Sequence, residues 1–307
     1  MNKNKVSIIG AGMVGSTTAY SLISSKIVEE IALIDINKKL SKSQAMDLQH
    51  SVPFWGYTNV KSGSYNDIKN SRVVIITCGA SQKEGQTRLN LLKKNSEIIE
   101  EVMPRIFKQN PKVIVIMVTN PVDILTNIAI KMFPQKKAQI FGSGTILDTA
   151  RLRFLLGEKI SVNPKSLHGY IIGEHGDSEV PLWSTVTVGN TPLDRFKKLS
   201  KKEKDDIFDQ AKNAAYAIIA GKQATYYAIS AGVVSLVEAV LYNKKTVFTV
   251  SHTVEGRFGI KDVCLSLPMV IGENGIMEKI NIQISKEEKG LLKKSAKKLK
   301  QIEKKIL

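Results

Sequence analysis

The sequence predicts an α/β protein, with a doubly wound parallel sheet in the N-terminal half and an α+β domain after it. Three observations carry that prediction. Val6–Ile9, Ile31–Ile34, Val73–Thr77 and Val113–Val118 are continuous apolar runs separated by helical patterns, as expected of parallel strands covered on both faces. The first run feeds Gly10-Ala11-Gly12-Met13-Val14-Gly15 and then a helical stretch, Ser16 to Ser25. The alternation of strands and helices breaks near Phe141-Gly142-Ser143-Gly144, beyond which strands and long helices are mixed. At 307 residues the chain has room for two domains, placed at 1–144 and 145–307.

In chain order, the glycine-rich turn follows a strand and opens a helix. The second strand ends in Asp35, twenty residues past Gly15. That context turns a weak motif into a dinucleotide-binding (Rossmann) fingerprint. Gly10, Gly12 and Gly15 allow a tight turn and close approach of a pyrophosphate to the helix N-terminus, where the dipole favours anions. Asp35 would accept hydrogen bonds from the adenosine ribose and repel a 2′-phosphate, which points to NAD rather than NADP. A helix is expected around Lys38 to His50. The third and fourth strands end at Cys78-Gly79-Ala80 and Thr119-Asn120-Pro121, so Gly79 to Arg88 and Asn120 to Asp123 fall where cofactor and substrate should lie. Ser81 to Arg88 reads as a polar lid carrying an arginine ahead of a helix from Leu89 to Phe107.

In the second half the informative stretch is Gly169-Tyr170-Ile171-Ile172-Gly173-Glu174-His175-Gly176-Asp177-Ser178. It reads as a strand from Leu167 to Ile172 running into a glycine-bracketed corner that presents one imidazole, suited to proton transfer near neutral pH. Upstream, Asp148 and Arg151 are three apart and share a helix face: a carboxylate to orient the imidazole and a guanidinium to grip an anion. Thr145 reads as that helix's N-cap, with Asp148 completing a box-like pair. Strands are expected at Trp183–Val188, Thr246–Val254, Val263–Ile271 and Ile276–Ile284. Ser285 and Glu288 should cap a last helix whose Leu292, Leu299, Ile302 and Ile306 form one apolar stripe.

Composition narrows the function classes. The formal net charge is +17, from 45 Lys and Arg against 28 Asp and Glu. The lysines are spread along helical stretches, Lys197 to Lys212 and Lys286 to Lys305, without aromatic interleaving or zinc-finger spacing. That describes a solvated surface able to steer small anions, and argues against a nucleic-acid partner. No apolar run has membrane-spanning length, and the chain enters a strand at Lys5 without a signal-peptide segment. Cys78 and Cys264 sit in apolar runs and read as small core residues, consistent with a cytoplasmic location. No metal site is expected, and His50 and His252 read as structural.

With these residues in place, the chain resembles the NAD-dependent L-lactate and malate dehydrogenases along essentially its whole length. The resemblance is carried by Gly10–Gly15, Thr119-Asn120-Pro121-Val122-Asp123, Leu147-Asp148-Thr149-Ala150-Arg151 and Ile172-Gly173-Glu174-His175-Gly176-Asp177. The lid position that discriminates substrates in the family is Gln82 here, where malate dehydrogenases carry arginine, so the lid is similar to that of a bacterial L-lactate dehydrogenase. The resemblance implies reversible hydride transfer between NADH and pyruvate, giving L-lactate, with fermentative NAD⁺ regeneration at the end of glycolysis. An L-2-hydroxy acid dehydrogenase for larger substrates, or a malate dehydrogenase, shares the same machinery. It implies that Arg151 grips the substrate carboxylate, that protonated His175 serves the carbonyl oxygen, that Asp148 holds the ring, and that Arg88 descends with the lid. Asn120 and Thr225 would line the pocket. Val14, Asp35, Tyr65, Gly79, Ala80, Val118, Asn120 and Ser143 would join the glycines at the cofactor.

Two positions depart from the family. Leu40 stands where bacterial relatives often have lysine, and Glu84 where the lid often has proline. The long N-terminal arm of animal relatives is missing, so assembly into a homotetramer is expected to use other surfaces. Arg153, two past Arg151 and about 200° around the helix, points away from the active site. His168, seven before His175, cannot reach the same substrate. The resemblance gives these two a role as the fructose 1,6-bisphosphate site of allosterically activated bacterial enzymes.

Overall fold

The computed structural model describes residues 4–80 and 88–305. The N-terminal half contains strands β1 (Lys5–Ile9), β2 (Glu30–Ile34), β3 (Asn59–Gly63), β4 (Val73–Ile76), β5 (Ile114–Met117) and β6 (Ile140–Gly142). Helices α1 (Met13–Ser24), α2 (Lys38–Trp55), α3 (Arg88–Gln109) and α4 (Val122–Met132) connect them or flank them. The strands pair in the order β3-β2-β1-β4-β5-β6, all parallel. The order reverses between β1 and β4, so the loops after these strands diverge and open a crevice at their carboxyl ends. β1, β4 and β5 are buried along their whole length, which is why they read as unbroken apolar runs. β3 and β6 escaped the sequence reading: β3 is polar at Asn59, Lys61 and Ser62, and β6 is three residues long.

The C-terminal half comprises α5 (Ile146–Ile160), β7 (Leu167–His168), β8 (Ile171–Gly173), β9 (Glu179–Pro181), β10 (Thr187–Val188), β11 (Thr191–Pro192), α6 (Leu193–Phe196), α7 (Lys201–Lys222), α8 (Tyr227–Leu241), β12 (Thr246–Thr253), β13 (Cys264–Gly272), β14 (Gly275–Lys279) and α9 (Lys286–Glu303). Its antiparallel strands β12-β13-β8-β9 continue the parallel sheet through one pair, Ser251 opposite Gly142, and β14 adds to β13. One hydrophobic core therefore runs through both halves, from Val6 and Ile75 to Val237 and Leu267.

Several expectations are corrected. Leu167–Ile172 is not one strand: β7 pairs with β10 in a small separate sheet, while β8 joins the large one. The chain changes sheets at Gly169-Tyr170, where the Gly169 carbonyl is taken by the Arg153 side chain rather than a ladder partner. Trp183–Val188 is a 3₁₀ turn, Trp183–Thr185, followed by the short β10. β14 ends at Lys279, short of the expected Ile284, because Ile282 turns back to bond the Ile280 carbonyl. The helix expected over Lys197–Lys212 starts at Lys201, capped by Ser200 and Glu203, and continues to Lys222. The Ser285–Glu288 capping box of α9 is present. Ile306 and the lid residues Ser81 to Thr87, including Gln82 and Glu84, lie outside the described residues.

The end of α9 is fastened to α4. The buried Glu303 carboxylate accepts two bonds from the Asn127 amide, at 2.8 and 2.9 Å, and one from Lys131 at 2.6 Å. Glu303→Ala strips the buried Asn127 amide of its acceptor, which costs about 1–3 kcal/mol. The expected outcome is a melting temperature several degrees below the parent at matched protein concentration, measured by calorimetry; an unchanged melting curve would show this tie to be dispensable.

Candidate active site

The site is built around the first turn of α5 and the corner after β8. Thr145 occupies the N-cap position of α5, but its side chain makes no capping bond. It donates instead to the Ile171 carbonyl at 2.6 Å, and Asp148 is drawn away from any capping role. Thr149 accepts the Ile171 amide at 3.0 Å. These two threonines clamp the start of β8 to α5 and so fix the register between Asp148 and His175. At the corner itself Gly173 has φ +93°, a conformation that costs a side-chain-bearing residue strain.

Asp148, Arg151 and His175 are brought together as the sequence suggested. The His175 Nδ1 lies 2.6 Å from Asp148 Oδ2, and Arg151 Nη1 donates to Asp148 Oδ1 at 2.9 Å. Asp148 is almost fully buried, whereas a quarter of the His175 side chain stays exposed. Burial alone would lower the imidazole pKa, but the Asp148 carboxylate outweighs it and lifts His175 to about 9. Burial alone would raise Asp148; the His175 and Arg151 cations prevail and hold it below the ordinary carboxylate value. A protonated imidazole with Nδ1 committed to a carboxylate presents Nε2–H as a directed proton donor.

Three contributors carried no signal in the sequence strong enough to assign them. Asp123, in the first turn of α4, accepts the His175 backbone N–H at 2.7 Å and the Ser251 hydroxyl at 2.6 Å. Ser295 of α9 accepts the Glu174 N–H at 2.8 Å, and Lys298 pairs with Glu174 at 3.1 Å, so the C-terminal helix braces the corner from behind. Glu174 also accepts the Ser178 hydroxyl. Asn95 of α3 accepts the Ala80 N–H at 2.8 Å and donates to the Asn120 carbonyl at 3.0 Å, holding the loops after β4 and β5 together. Asp123 lies within a motif noticed in the sequence; Ser295 and Asn95 sit in ordinary helical stretches and had none.

The fingerprint residues lie at the crevice. A Cβ on Gly15 would stand 1.9 Å from the Gly10 carbonyl oxygen, and one on Gly10 would stand 2.6 Å from the Cys78 nitrogen, so neither can be replaced without displacing backbone. A Cβ on Gly12, by contrast, would meet nothing within 4 Å. Gly12 is the N-cap of α1 and supplies no capping side chain. The start of α1 thus has no side chain over it, and a helix N-terminus left uncapped in this way can hold a pyrophosphate. Asp35 accepts the Ala11 N–H at 2.7 Å and the Asn37 N–H at 2.8 Å, leaving lone pairs on each oxygen for ribose hydroxyls. The dinucleotide therefore fits. Val14 and Val118 are half-buried, Ser143 is buried, Gly79 and Asn120 are exposed at the strand ends, and Tyr65 lies under the Arg105 guanidinium, 5.1 Å from its ring centre. Leu40 serves α2, donating its N–H to the Asn37 cap.

Other expected residues are placed with less definition. Arg88 begins α3. Thr225 is half-buried in the link between α7 and α8, and no hydrogen bond among the described residues ties it to Asp148, Arg151 or His175. His252 is buried beside the Lys137 carbonyl, at 2.9 Å, and burial drops its pKa to about 4. His50 is exposed on α2. Both cysteines are free, Cys264 buried and Cys78 half-buried, where burial pushes the Cys78 thiol up to about 12. Among the described residues no helix is long and apolar enough to cross a membrane, and no cluster of potential metal ligands occurs.

Residues 4–142 match the NAD-binding domain of lactate/malate dehydrogenases, and residues 145–307 match the alpha/beta C-terminal domain of the same family. The chain is 46% identical to an L-lactate dehydrogenase of Acetivibrio thermocellus, over 98% of each chain. It is 43% identical to L-lactate dehydrogenase 1 of Clostridium acetobutylicum, again over 98% of each. Among solved structures it superposes on a lactate dehydrogenase from a Medee basin deep-sea metagenome library with a TM-score of 0.96 at 35% identity, covering 100% of this chain and 99% of that one. The minor L-lactate dehydrogenase of Enterococcus mundtii, in a ligand-bound form, gives 0.95 at 37% identity with the same coverage. The chain belongs to the lactate/malate dehydrogenase family and is an NAD-dependent dehydrogenase.

Proposed function

We propose that this enzyme interconverts pyruvate and L-lactate, working in the cytoplasm to regenerate NAD⁺ in fermentation. The observation that carries the reading is the Asp148 carboxylate shared between His175 Nδ1 and the Arg151 guanidinium within one helical turn. NADH, when bound, supplies the hydride that reaches the carbonyl carbon. The chain's own residues do the rest. Arg151, one Nη committed to Asp148, offers its remaining N–H groups to the substrate carboxylate in a fork that lysine could not reproduce. His175 donates its Nε2 proton to the carbonyl oxygen as the hydride arrives, leaving a neutral imidazole and the hydroxyl of lactate; in reverse it takes that proton back. Asp148 keeps Nε2 aimed at the oxygen and stabilises the imidazolium. Arg88 is assigned to polarising the carbonyl, and the lid it borders to excluding water. Gly10, Gly12, Val14, Gly15, Asp35, Tyr65, Gly79, Ala80, Val118, Asn120 and Ser143 are assigned to the cofactor, and Asn120 and Thr225 to the substrate pocket.

Pyruvate-dependent loss of NADH absorbance tests the reading directly, and a panel of 2-oxo acids tests its breadth. Because His175 must carry a proton for reduction, kcat/KM for pyruvate should fall as pH rises through about 9, while lactate oxidation should climb over the same range. Asp148→Asn removes the group that raises the imidazole pKa, so the alkaline limb should move to lower pH with a large loss of kcat. A limb that stays in place would separate it from His175.

Substrate choice is assigned to Gln82. Oxaloacetate carries a second carboxylate that the parent site would bury without a charged partner, at a cost of roughly 3–5 kcal/mol. Gln82→Arg should therefore raise the oxaloacetate-to-pyruvate ratio of kcat/KM by about 10²–10³; a ratio within a few-fold of the parent would remove Gln82 as the discriminator.

Two further features support a regulated homotetramer. Tyr20, Met46, Phe54 and Tyr57 are large apolar side chains left exposed on and after α1 and α2, more than a monomer needs. Arg153 reaches the Gly169 carbonyl at 3.0 Å and lies 5.1 Å over the Tyr170 ring, next to the exposed His168. Arg153 and His168 thus lie close together, and a half-buried guanidinium with no carboxylate partner among the described residues suits an anionic ligand such as fructose 1,6-bisphosphate. The effector should lower the KM for pyruvate by roughly 5–150-fold, the range of a coupling of about 1–3 kcal/mol. Arg153→Ala and His168→Ala should abolish that response. Superimposable pyruvate saturation curves with and without millimolar effector, at low enzyme concentration, would refute it.

A further inference from the structure

The proton path above makes no use of Glu179, yet this carboxyl is buried beside it. Glu179 opens β9 directly opposite Gly173, two residues before His175 across the strand pair. It is 7% exposed, and its Oε1 is buried without a hydrogen-bond partner among the described residues. Charged groups reach it from three directions: Asp148 and Arg151 from α5, His175 from the corner, and Lys212 from α7. Among the described residues, other charges nearby are engaged: Asp123 of α4 accepts the His175 amide and the Ser251 hydroxyl. On α9, Lys298 is paired with Glu174 and Glu288 is held by Ser184 and Ser285. Asp177 takes the Tyr216 hydroxyl of α7.

A carboxylate buried with no donor among the described residues, near a carboxylate already ionised, is disfavoured on both counts. Burial and the Asp148 charge push Glu179 up to about 8, against the pull of His175, Arg151 and Lys212. Neutral, Glu179 places no further charge on His175 and Arg151, which both pair with Asp148. Ionised, it adds a carboxylate that acts on the same two cations a substrate carboxylate would use.

We propose that Glu179 is a positioning residue that sets the charge of the substrate pocket: neutral, it leaves Arg151 and His175 to the substrate carboxylate, and ionised, it competes with that carboxylate for the same two cations. The proposal rests on the reading of the substrate as a 2-oxo acid anion. By linkage, substrate binding at alkaline pH must take up a proton at Glu179 in addition to the one His175 requires.

The test is the binding of oxamate, an unreactive analogue of pyruvate, to the NADH-loaded enzyme at a series of pH values, with proton uptake followed by calorimetry in buffers of different ionisation enthalpy. In the parent, affinity should fall in two proton steps, the first near pH 8 and the second near pH 9. Glu179→Gln should lose the first step and bind oxamate about tenfold more tightly than the parent one unit above it. The same gain should appear in KM for pyruvate and not in kcat. Glu179→Asp should restore the first step. Coincident pH profiles of parent and Glu179→Gln, or a loss of affinity equal at all pH values, would overturn the proposal in favour of a purely structural role. If Glu179→Gln does not fold, infrared difference spectra of the parent decide: a protonated-carboxyl band lost on going from neutral to alkaline pH supports the proposal, and its absence overturns it. Failure to bind oxamate at any pH would instead overturn the 2-oxo acid reading, which the infrared band does not depend on.

Discussion

The Asp148 carboxylate is the constraint around which the site is arranged. Taking a carboxylate out of water costs several kcal/mol, and that cost is met only when geometry and hydrogen bonds are good. Here two cations meet it, one on each oxygen. The arrangement tolerates little displacement, since a slipped His175 would leave a buried anion half-paired. Much of the C-terminal half can be read as the hardware that prevents the slip. Thr145 and Thr149 bolt β8 to α5, Asp123 holds the His175 amide, and Ser295 holds the Glu174 amide.

The C-terminal helix shows how a surface-looking sequence can carry internal work. Lys286 to Glu303 reads as a basic amphipathic stretch, and most of its lysines are indeed exposed. Yet its polar face also supplies Glu288 to Ser184, Ser295 and Lys298 to the corner after β8, and Glu303 to α4. Only part of the large positive charge is therefore simple solvation, and Lys298 pairs with Glu174 next to His175.

The parallel strands, the glycine turn and the Asp148–Arg151–His175 set were legible in the sequence because each is a local pattern: an apolar run, a spacing, a shared helix face. What escaped depends on partners distant in the chain. The break at Gly169-Tyr170 exists because His168 finds Thr187 in one sheet while Gly173 finds Ser266 in another, and nothing in Leu167–Ile172 announces either partner. Thr145 has the right type and place for a cap, yet its hydroxyl is taken by Ile171, 26 residues away in sequence. Asn95 looks like any polar residue on a helix until the loops after β4 and β5 close over it. Glu179 was read past altogether, since its burial follows from strand pairing with Gly173 and not from its neighbours in sequence.

The meeting of the two halves has a chemical consequence. The parallel sheet ends at β6, whose Gly142 pairs with Ser251 of β12. The Ser251 hydroxyl donates to Asp123, and Asp123 accepts the amide of His175. A Cβ on Gly142 would come within 3.0 Å of the Ser251 Cβ, so the two strands touch without slack. The residue after β6, Ser143, bonds the Met117 carbonyl at the end of β5, where the crevice of the parallel sheet begins. The half that carries the dinucleotide fingerprint and the half that carries the Asp148–His175 pair are thus joined at one strand pair, with a three-residue relay from that pair to the backbone of His175. Hydride transfer and proton transfer need their donors held in one frame to within about half an ångström. This junction ties the end of the parallel sheet to the His175 backbone through Ser251 and Asp123.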